Sequence, residues 1–234
     1  MSKNNWSHWI SLSDMMTWLM LVFLLISILV ISEIQTQQEN KNKILIEYNN
    51  TKEEIHKDLL LAFEEKEKEW QMTITNDLTI KFNNEDILFD PHKTNLKDWF
   101  KNILDNFIPW YLSIINNPKY EWKIKEIRIE WHAWDCSEDL YFYCLWLSQW
   151  RSNSVLEYFL NSNYYKNSSE NDKSKFKFLI TSNGMSTWKN LDNSWNYTYY
   201  SKNKVNTAIS KRVEFKIVTN SEDLVDNLIN NLIK

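Results

Sequence analysis

Glycine is almost missing from this sequence: Gly184 is the single one in 234 residues. Ordinary usage would supply about 16. Folded domains place glycine where the backbone turns left-handed or where two segments press together. Tryptophan shows the reverse anomaly, with 13 copies of what is normally the rarest residue. Read together, the two departures indicate that many of these tryptophan positions carry glycine in the native protein. Some bacterial lineages read UGA as glycine, and translating such a gene with UGA as tryptophan produces this pattern. The alternative is a chain that is truly rich in tryptophan. The mass of the native protein separates the two, most directly at positions 131 and 150.

Cysteine is nearly as scarce. Cys136 and Cys144 form no Cys-x-x-Cys motif and stand near no histidine cluster at metal spacing, so neither a zinc site nor a dithiol redox motif is indicated. If a loop enters a helix there, they pair as a local disulfide; otherwise they are two unpaired thiols. An excess of positive charge is also absent. Lys and Arg number 27 against 31 Asp and Glu, for a net charge of −4, and no basic tail or stripe points to nucleic acid. No nucleophile–base pair, metal spacing or phosphate-binding loop supports an enzyme, and no cofactor is implied. A hydrophobic share of 43% excludes wholesale disorder.

What is present is one long apolar run, Ile10 to Ile31, about 33 Å as a helix and enough to cross a bilayer. It is longer than the apolar part of a usual signal peptide, and no small-x-small cleavage site follows it. A retained anchor is therefore expected. Lys3 is the only basic residue ahead of it, which favours residues 1–9 as a short cytoplasmic segment and puts the bulk of the chain outside. Asp14 is the one ionisable residue of the run, about 6 Å along the helix. Either it caps the helix at the membrane edge or it is a carboxylate placed inside the bilayer for a function. The nearby Ser11, Ser13 and Thr17 suit both readings.

Residues 32–70 are polar and charged and contain neither proline nor glycine, so they read as a helical linker. Ile44, Tyr48, Thr51, Ile55 and Ala62 form a loose seam consistent with a short parallel coiled coil. A solvated single helix is the rival, because Thr51 and Asp58 interrupt any clean heptad. Residues 71–234 alternate strand and helix signals. Met72–Phe82 reads as a strand, Asn95–Ile115 as a helix, Ile124–Ile129 as a strand and Leu147–Leu160 as a helix. Phe176–Ile180 reads as a strand, as does the end of Ala208–Val218, and Ser221–Ile233 as a final helix capped by Ser221. The expected class is α+β, in the order βαβαββ, with helices on one face of a mixed sheet.

Ser13 to Thr17 (SDMMT), followed by the apolar Leu19 to Leu25, resembles the membrane signature of MotB-type stator subunits, where an Asp-hydrophobic-Met-Thr segment opens a single helix. Two further stretches resemble the OmpA-like peptidoglycan-binding domain. The first is Ile127 to Asp135 (IRIEWHAWD), continued by Leu147 to Val155 (LSQWRSNSV); the family pattern is a strand, Gly-His-Thr-Asp, then Asn-x-x-Leu-Ser-x-x-Arg-Ala-x-x-Val. The second is Asn183 to Ser186 (NGMS) with the closing Lys211 to Phe215 (KRVEF). These motifs span about residues 78–218.

The resemblance implies an ion-carrying role for Asp14, a homodimer, a multi-span MotA-like partner, and peptidoglycan as the ligand of the distal domain. It places the chain in the cytoplasmic membrane as a single-pass protein with its C-terminal domain outside. In the family an Arg and an Asp hold the diaminopimelate of the wall peptide, matching carboxylate with guanidinium and ammonium with carboxylate. Arg151 falls on the Arg position. The Asp position is occupied by Trp134, with Asp135 one residue later, and the family Asn falls on Cys144. His132 matches the family His, which more often supports the loop. Reading Trp131 and Trp150 as glycine improves the fit, and Trp188 and Trp195 lie in a turn-rich stretch. The Leu-Ser-Asp-Met-Met stretch, with Met185 to Asp192, inclines the resemblance toward the non-flagellar, ZorB-type branch. A passive anchor between membrane and wall is the alternative without ion flow.

Overall fold

The computed structural model describes residues 5–83, 88–133, 136 and 138–220, with side chains from residue 15 onward apart from that of Glu138. Its first element, α1 (Asn5–Phe63), is one helix of 59 residues, about 88 Å long. Its sequence holds no glycine or proline and is rich in Leu, Glu, Lys and Gln, which lose little side-chain freedom in a helix. Nothing therefore stops the helix where its apolar part gives way to its polar part. It is the one described helix long and apolar enough to cross a membrane, and Phe23, Leu21 and Leu29 on it are 59–69% exposed.

The far end of α1 behaves differently. Thr51, Ile55, Leu59 and Phe63 recur every fourth residue, line one helix face, and are at most 4% exposed. Phe63 packs on Phe107, with ring centroids 5.1 Å apart, and Asp58 accepts hydrogen bonds from the Tyr120 hydroxyl at 2.9 Å and the Lys119 ammonium at 2.6 Å. Thr51 and Ile55, read in sequence as part of a seam between two chains, thus face the core of their own domain.

The domain's sheet runs β1 (Met72–Ile74), β2 (Thr79–Asn83), β5 (Arg212–Thr219), β3 (Ile124–His132), β4 (Ile180–Gly184) across its width. Only the β3–β4 pair is parallel. Between the strands lie α2 (Asp98–Ile115), α3 (Tyr141–Asn161), the short α4 (Asn163–Asn167) and α5 (Glu170–Leu179). Two single-turn helices, α6 (Thr198–Ser201) and α7 (Thr207–Ser210), precede β5. Alternate residues of the strands (Ile80 and Phe82; Ile127, Ile129 and Trp131; Val213, Phe215 and Ile217) point into the core. There they meet Phe100, Leu104, Phe107 and Tyr111 of α2 and Val155 and Phe159 of α3. The α+β class, with helices on one face of a mixed sheet, is the expected one.

The strand order differs from expectation in detail. Met72–Phe82 is not one strand but a hairpin, because Leu78 adopts φ 62° and the chain reverses between Thr75 and Thr79. Phe176–Leu179 is the end of α5 rather than a strand. Ser169 caps that helix by accepting from the Asp172 amide, Glu170 and Asp172 sit in its first turn, and Phe176 and Leu179 face the core at helical spacing. Helix α3 begins at Tyr141, well before Leu147. The helix expected over Ser221–Ile233 lies outside the described residues.

Gly184 marks the closest approach of two elements. A Cβ there would lie 2.3 Å from the backbone nitrogen of Gln149, so α3 presses against the end of β4 only because residue 184 has no side chain. Of the tryptophans, Trp122 and Trp195 have φ of 64° and 63°. Trp122 is the third residue of a turn closed by Lys123 N–H on Tyr120 O at 3.0 Å, after Glu121 at φ −55°, ψ 131°. These are type II turn angles, whose third position normally takes glycine. Trp131, in contrast, shows no left-handed backbone and fills the core edge to face with Phe89.

Candidate functional site

The end of the sheet formed by Trp131, His132, Gly184 and Arg212 carries most residues singled out in the sequence. Strand alternation sends neighbours to opposite faces there. Trp131 points to the helices and His132 to the other face, where the loop between β4 and β5 covers it.

Arg151 lies on α3, on the Trp131 side, and is 2% exposed. Its Nε donates to the Lys93 carbonyl at 2.9 Å and its Nη2 to the Asp90 carbonyl at 3.1 Å. Its guanidinium lies 5.1 Å from the Phe89 ring centroid and 4.8 Å from that of Trp131, a cation–π arrangement with both rings. Arg151 therefore holds the segment around Asp90–Lys93 against the end of β3. Two residues earlier on the same helix, Gln149 closes the free edge of β4. Its side-chain amide donates to Ser182 O at 3.1 Å and accepts from Gly184 N–H at 2.9 Å, as a neighbouring strand would.

His132 belongs to a buried ionic network. It sits opposite Arg212, and Glu130 opposite Glu214, across the β3–β5 ladder. Arg212 donates to Glu214 at 2.5 Å and to Ser210 O at 2.9 Å, and it faces His132 Nδ1 at 3.2 Å. Because guanidinium only donates, Nδ1 must accept, which puts the imidazole proton on Nε2. That nitrogen faces Glu130 at 3.3 Å and Glu214 at 3.4 Å. Lys189 stands 3.8 Å from Glu130 and Lys81 stands 3.9 Å from Glu214. Burial pushes the Glu214 carboxyl up, but His132, Arg212 and Lys81 overcome this and hold it well below the usual range. Glu130 is likewise held low against its burial, by His132 and Lys189. Burial also pushes the Lys81 ammonium down.

Glu130, His132 and Glu214 bring potential metal-ligand atoms within 4.8 Å of one another. With Nδ1 turned to Arg212, Nε2 is the ring nitrogen that faces the two carboxylates. Arg212, Lys81 and Lys189 already answer the two carboxylates. The cluster is a pin for the covering loop: Arg212 also donates to Lys189 O at 3.3 Å, and Ser210 Oγ accepts from the Leu191 amide at 2.9 Å. Inside that loop Asp192 accepts from the Asn203 side chain at 2.8 Å and from the Asn196 and Ser194 amides at 2.9 Å. These bonds, that from Asn203 first, hold its carboxyl at about 2.

The structure thus brings Arg151 and His132 to one end of the sheet but on opposite faces. Asp135 lies outside the described residues, and the side chain of Asp14, which is on α1, is likewise not described. Cys136 and Cys144 are joined as a disulfide, with Cα atoms 6.4 Å apart; of the two readings left open by the sequence, the structure has the pair. Sequence reasoning overlooked Gln149, Glu130 with Glu214, and Asp192. Glu130 and Glu214 had a signal: each alternates with core residues on a strand, a charge where a covered sheet face is polar.

No known family profile matches the chain. It is 33% identical to the Zorya protein ZorB of Escherichia coli over 229 residues, covering 95% of this chain and 92% of that protein. Among solved structures, a MotB-like protein from Desulfovibrio vulgaris is similar over 75% of this chain and 96% of its own, with 19% identity and a TM-score of 0.43. The periplasmic domain of Helicobacter pylori MotB is similar over 65% of this chain and 84% of its own, with 19% identity and a TM-score of 0.37.

Proposed function

The chain belongs to the ZorB family, and from that premise we propose that it is the membrane-embedded, wall-anchored subunit of an ion-driven stator-type complex. The observation that carries this reading is α1, a single helix whose first part exposes apolar side chains and whose last turns are built into the core of the distal domain. Such a part can bear load between a bilayer and whatever the domain grips. The apolar part crosses the cytoplasmic membrane once, leaving the domain outside. The work is mechanical, not catalytic.

Asp14 is the ion-carrying group in this reading. Its charged form is costly in a dry environment, so protonation lets the helix occupy a drier position and release reverses the move. The gradient supplies about 2.3 kcal/mol per charge for each 100 mV. Two copies pair along the helix, inside a ring of a multi-span MotA-like partner. The domain holds peptidoglycan: Arg151 clamps a carboxylate of the wall peptide, exchanging carbonyl acceptors for a charged one, Asp135 answers its ammonium, and His132 supports the loop.

Reconstitution of the complex with its multi-span partner in liposomes tests the reading. Asp14→Asn and Asp14→Ala are expected to abolish ion flow without preventing assembly, and Arg151→Ala to reduce pelleting with purified cell-wall sacculi. Flow that survives both Asp14 variants would leave a passive tether between membrane and wall and end the motor reading.

A further inference from the structure

We propose that the Cys136–Cys144 disulfide is the brace that fixes the start of α3, and that this corner of the domain is completed only by oxidation outside the cytoplasm. Its consequence for wall binding rests on the proposed function; the brace itself does not.

A single 3-10 turn, Glu138–Leu140, leads directly into α3, and the α-helix proper opens without a side-chain cap. Its N-cap is Leu140, which offers no side-chain hydrogen bond, and its first turn contains no acidic residue. A helix N-terminus leaves several amide N–H groups unpaired and concentrates partial positive charge there. Ser162, Ser169 and Asn206 supply the acceptor at three other helices of the domain, whereas Lys97 ahead of α2 and Tyr197 ahead of α6 supply none. At α3 a covalent bond stands in the acceptor's place, joining Cys144 in the first turn to Cys136 ahead of the helix. On the other side of Cys136 the chain is already anchored: the Ala133 amide donates to Ser186 O, and Trp131 O accepts from the Met185 amide, both at 2.9 Å.

Two working residues of α3 depend on that start. Gln149, which closes the edge of β4, and Arg151, which clamps the segment around Asp90–Lys93, lie one to two turns beyond Cys144. A helix end free to fray would loosen both. The two cysteines are the only ones in the chain, so no rival pairing exists within it. Forming the bond removes two protons and two electrons from the thiols. They pass to a disulfide-containing oxidant, which becomes a dithiol. Such oxidants act outside the cytoplasm, whereas cytoplasmic thiols are kept reduced.

The test uses the full chain purified from membranes in mild detergent. Maleimide–polyethylene glycol is expected to add no mass to the unreduced protein and two tags after dithiothreitol. Hydrogen exchange read by mass spectrometry is expected to speed up in the first turns of α3 by about tenfold or more on reduction, while the β2–β5 ladder stays protected. The Cys136→Ser, Cys144→Ser double variant should match the reduced protein. Two tags without reduction, or unchanged exchange at the start of α3 after reduction, would overturn the proposal. Pelleting with purified sacculi should fall on reduction. If the oxidised protein never pellets, the wall-binding reading fails, while the thiol count and the exchange result still decide the brace.

Discussion

One residue type meets opposite surroundings at the two ends of α1. Phe23 is 69% exposed and Phe63 is 1% exposed, although both are phenylalanines on the same unbroken helix. Burying a side chain of that size is worth about 1.5–3 kcal/mol. Phe63 gains this inside its own chain, against Phe107 and Trp70. Phe23 and its neighbours gain nothing from this chain. They require a bilayer or other helices, which is where the helical register of the first part acquires its meaning. Helix propensity makes the rod, and the surroundings decide what each stretch of it is for.

That contrast can be broken at its buried end first. Phe63→Ala is expected to destabilise the domain by about 3–5 kcal/mol, read as a lowered urea midpoint of the full chain in detergent. Phe23→Ala, the matching change at the exposed end, should leave that midpoint where it is, and an equal drop for both would erase the distinction. Asp58→Asn removes the charge that Lys119 and Tyr120 share. The group is part-exposed, so the expected loss is only about 1 kcal/mol, with looser docking of the helix end visible as faster exchange near Asp58.

Two smaller effects concern the domain alone. Trp122→Gly should raise thermal stability by about 1 kcal/mol, since it relieves a left-handed backbone at an 84% exposed residue. A fall in melting temperature would speak against the turn described for Tyr120–Lys123. Asp192, held at about 2 in the folded chain, has a pKa below its unfolded value. Its contribution is therefore complete above about pH 4 and is lost as pH falls toward 2. Asp192→Asn should flatten the acid limb of a stability–pH curve and leave the neutral region parallel.

Much of the fold was legible in residue pattern. The period of Phe100, Ile103, Leu104 and Phe107 fixes α2, and the alternation of Val213, Phe215 and Ile217 fixes β5, because core burial imposes those periods directly. Patterns were silent where one backbone angle decides the outcome: the positive φ of Leu78 splits the first strand in two, and no side-chain rule announces a leucine there. Phe176–Ile180 is short and apolar enough to fit either a strand or a helix end, and the cap at Ser169 settles it. At the sheet end, Arg151 and His132 were legible as members of one motif. Their separation onto opposite faces follows from strand alternation, which turns His132 away from Trp131 and Arg151 and which a motif does not state. The glycine deficit gains support at residues 122 and 195 from their backbone angles; Trp131, packed between Phe89 and Arg151, gives it none.

If α1 transmits load, the apolar segment and the distal domain must be one rigid piece, joined by helix throughout. Spin labels at Glu33 and Leu61, both on α1 and with Leu61 exposed, in the full chain held in a lipid nanodisc, measure this directly by pulsed dipolar spectroscopy, with labelled chains diluted by unlabelled ones to suppress distances between copies. A single narrow distance of about 42 Å is expected for continuous helix between them. A broad distribution, or a maximum well short of that length, would show a flexible connection and contradict it.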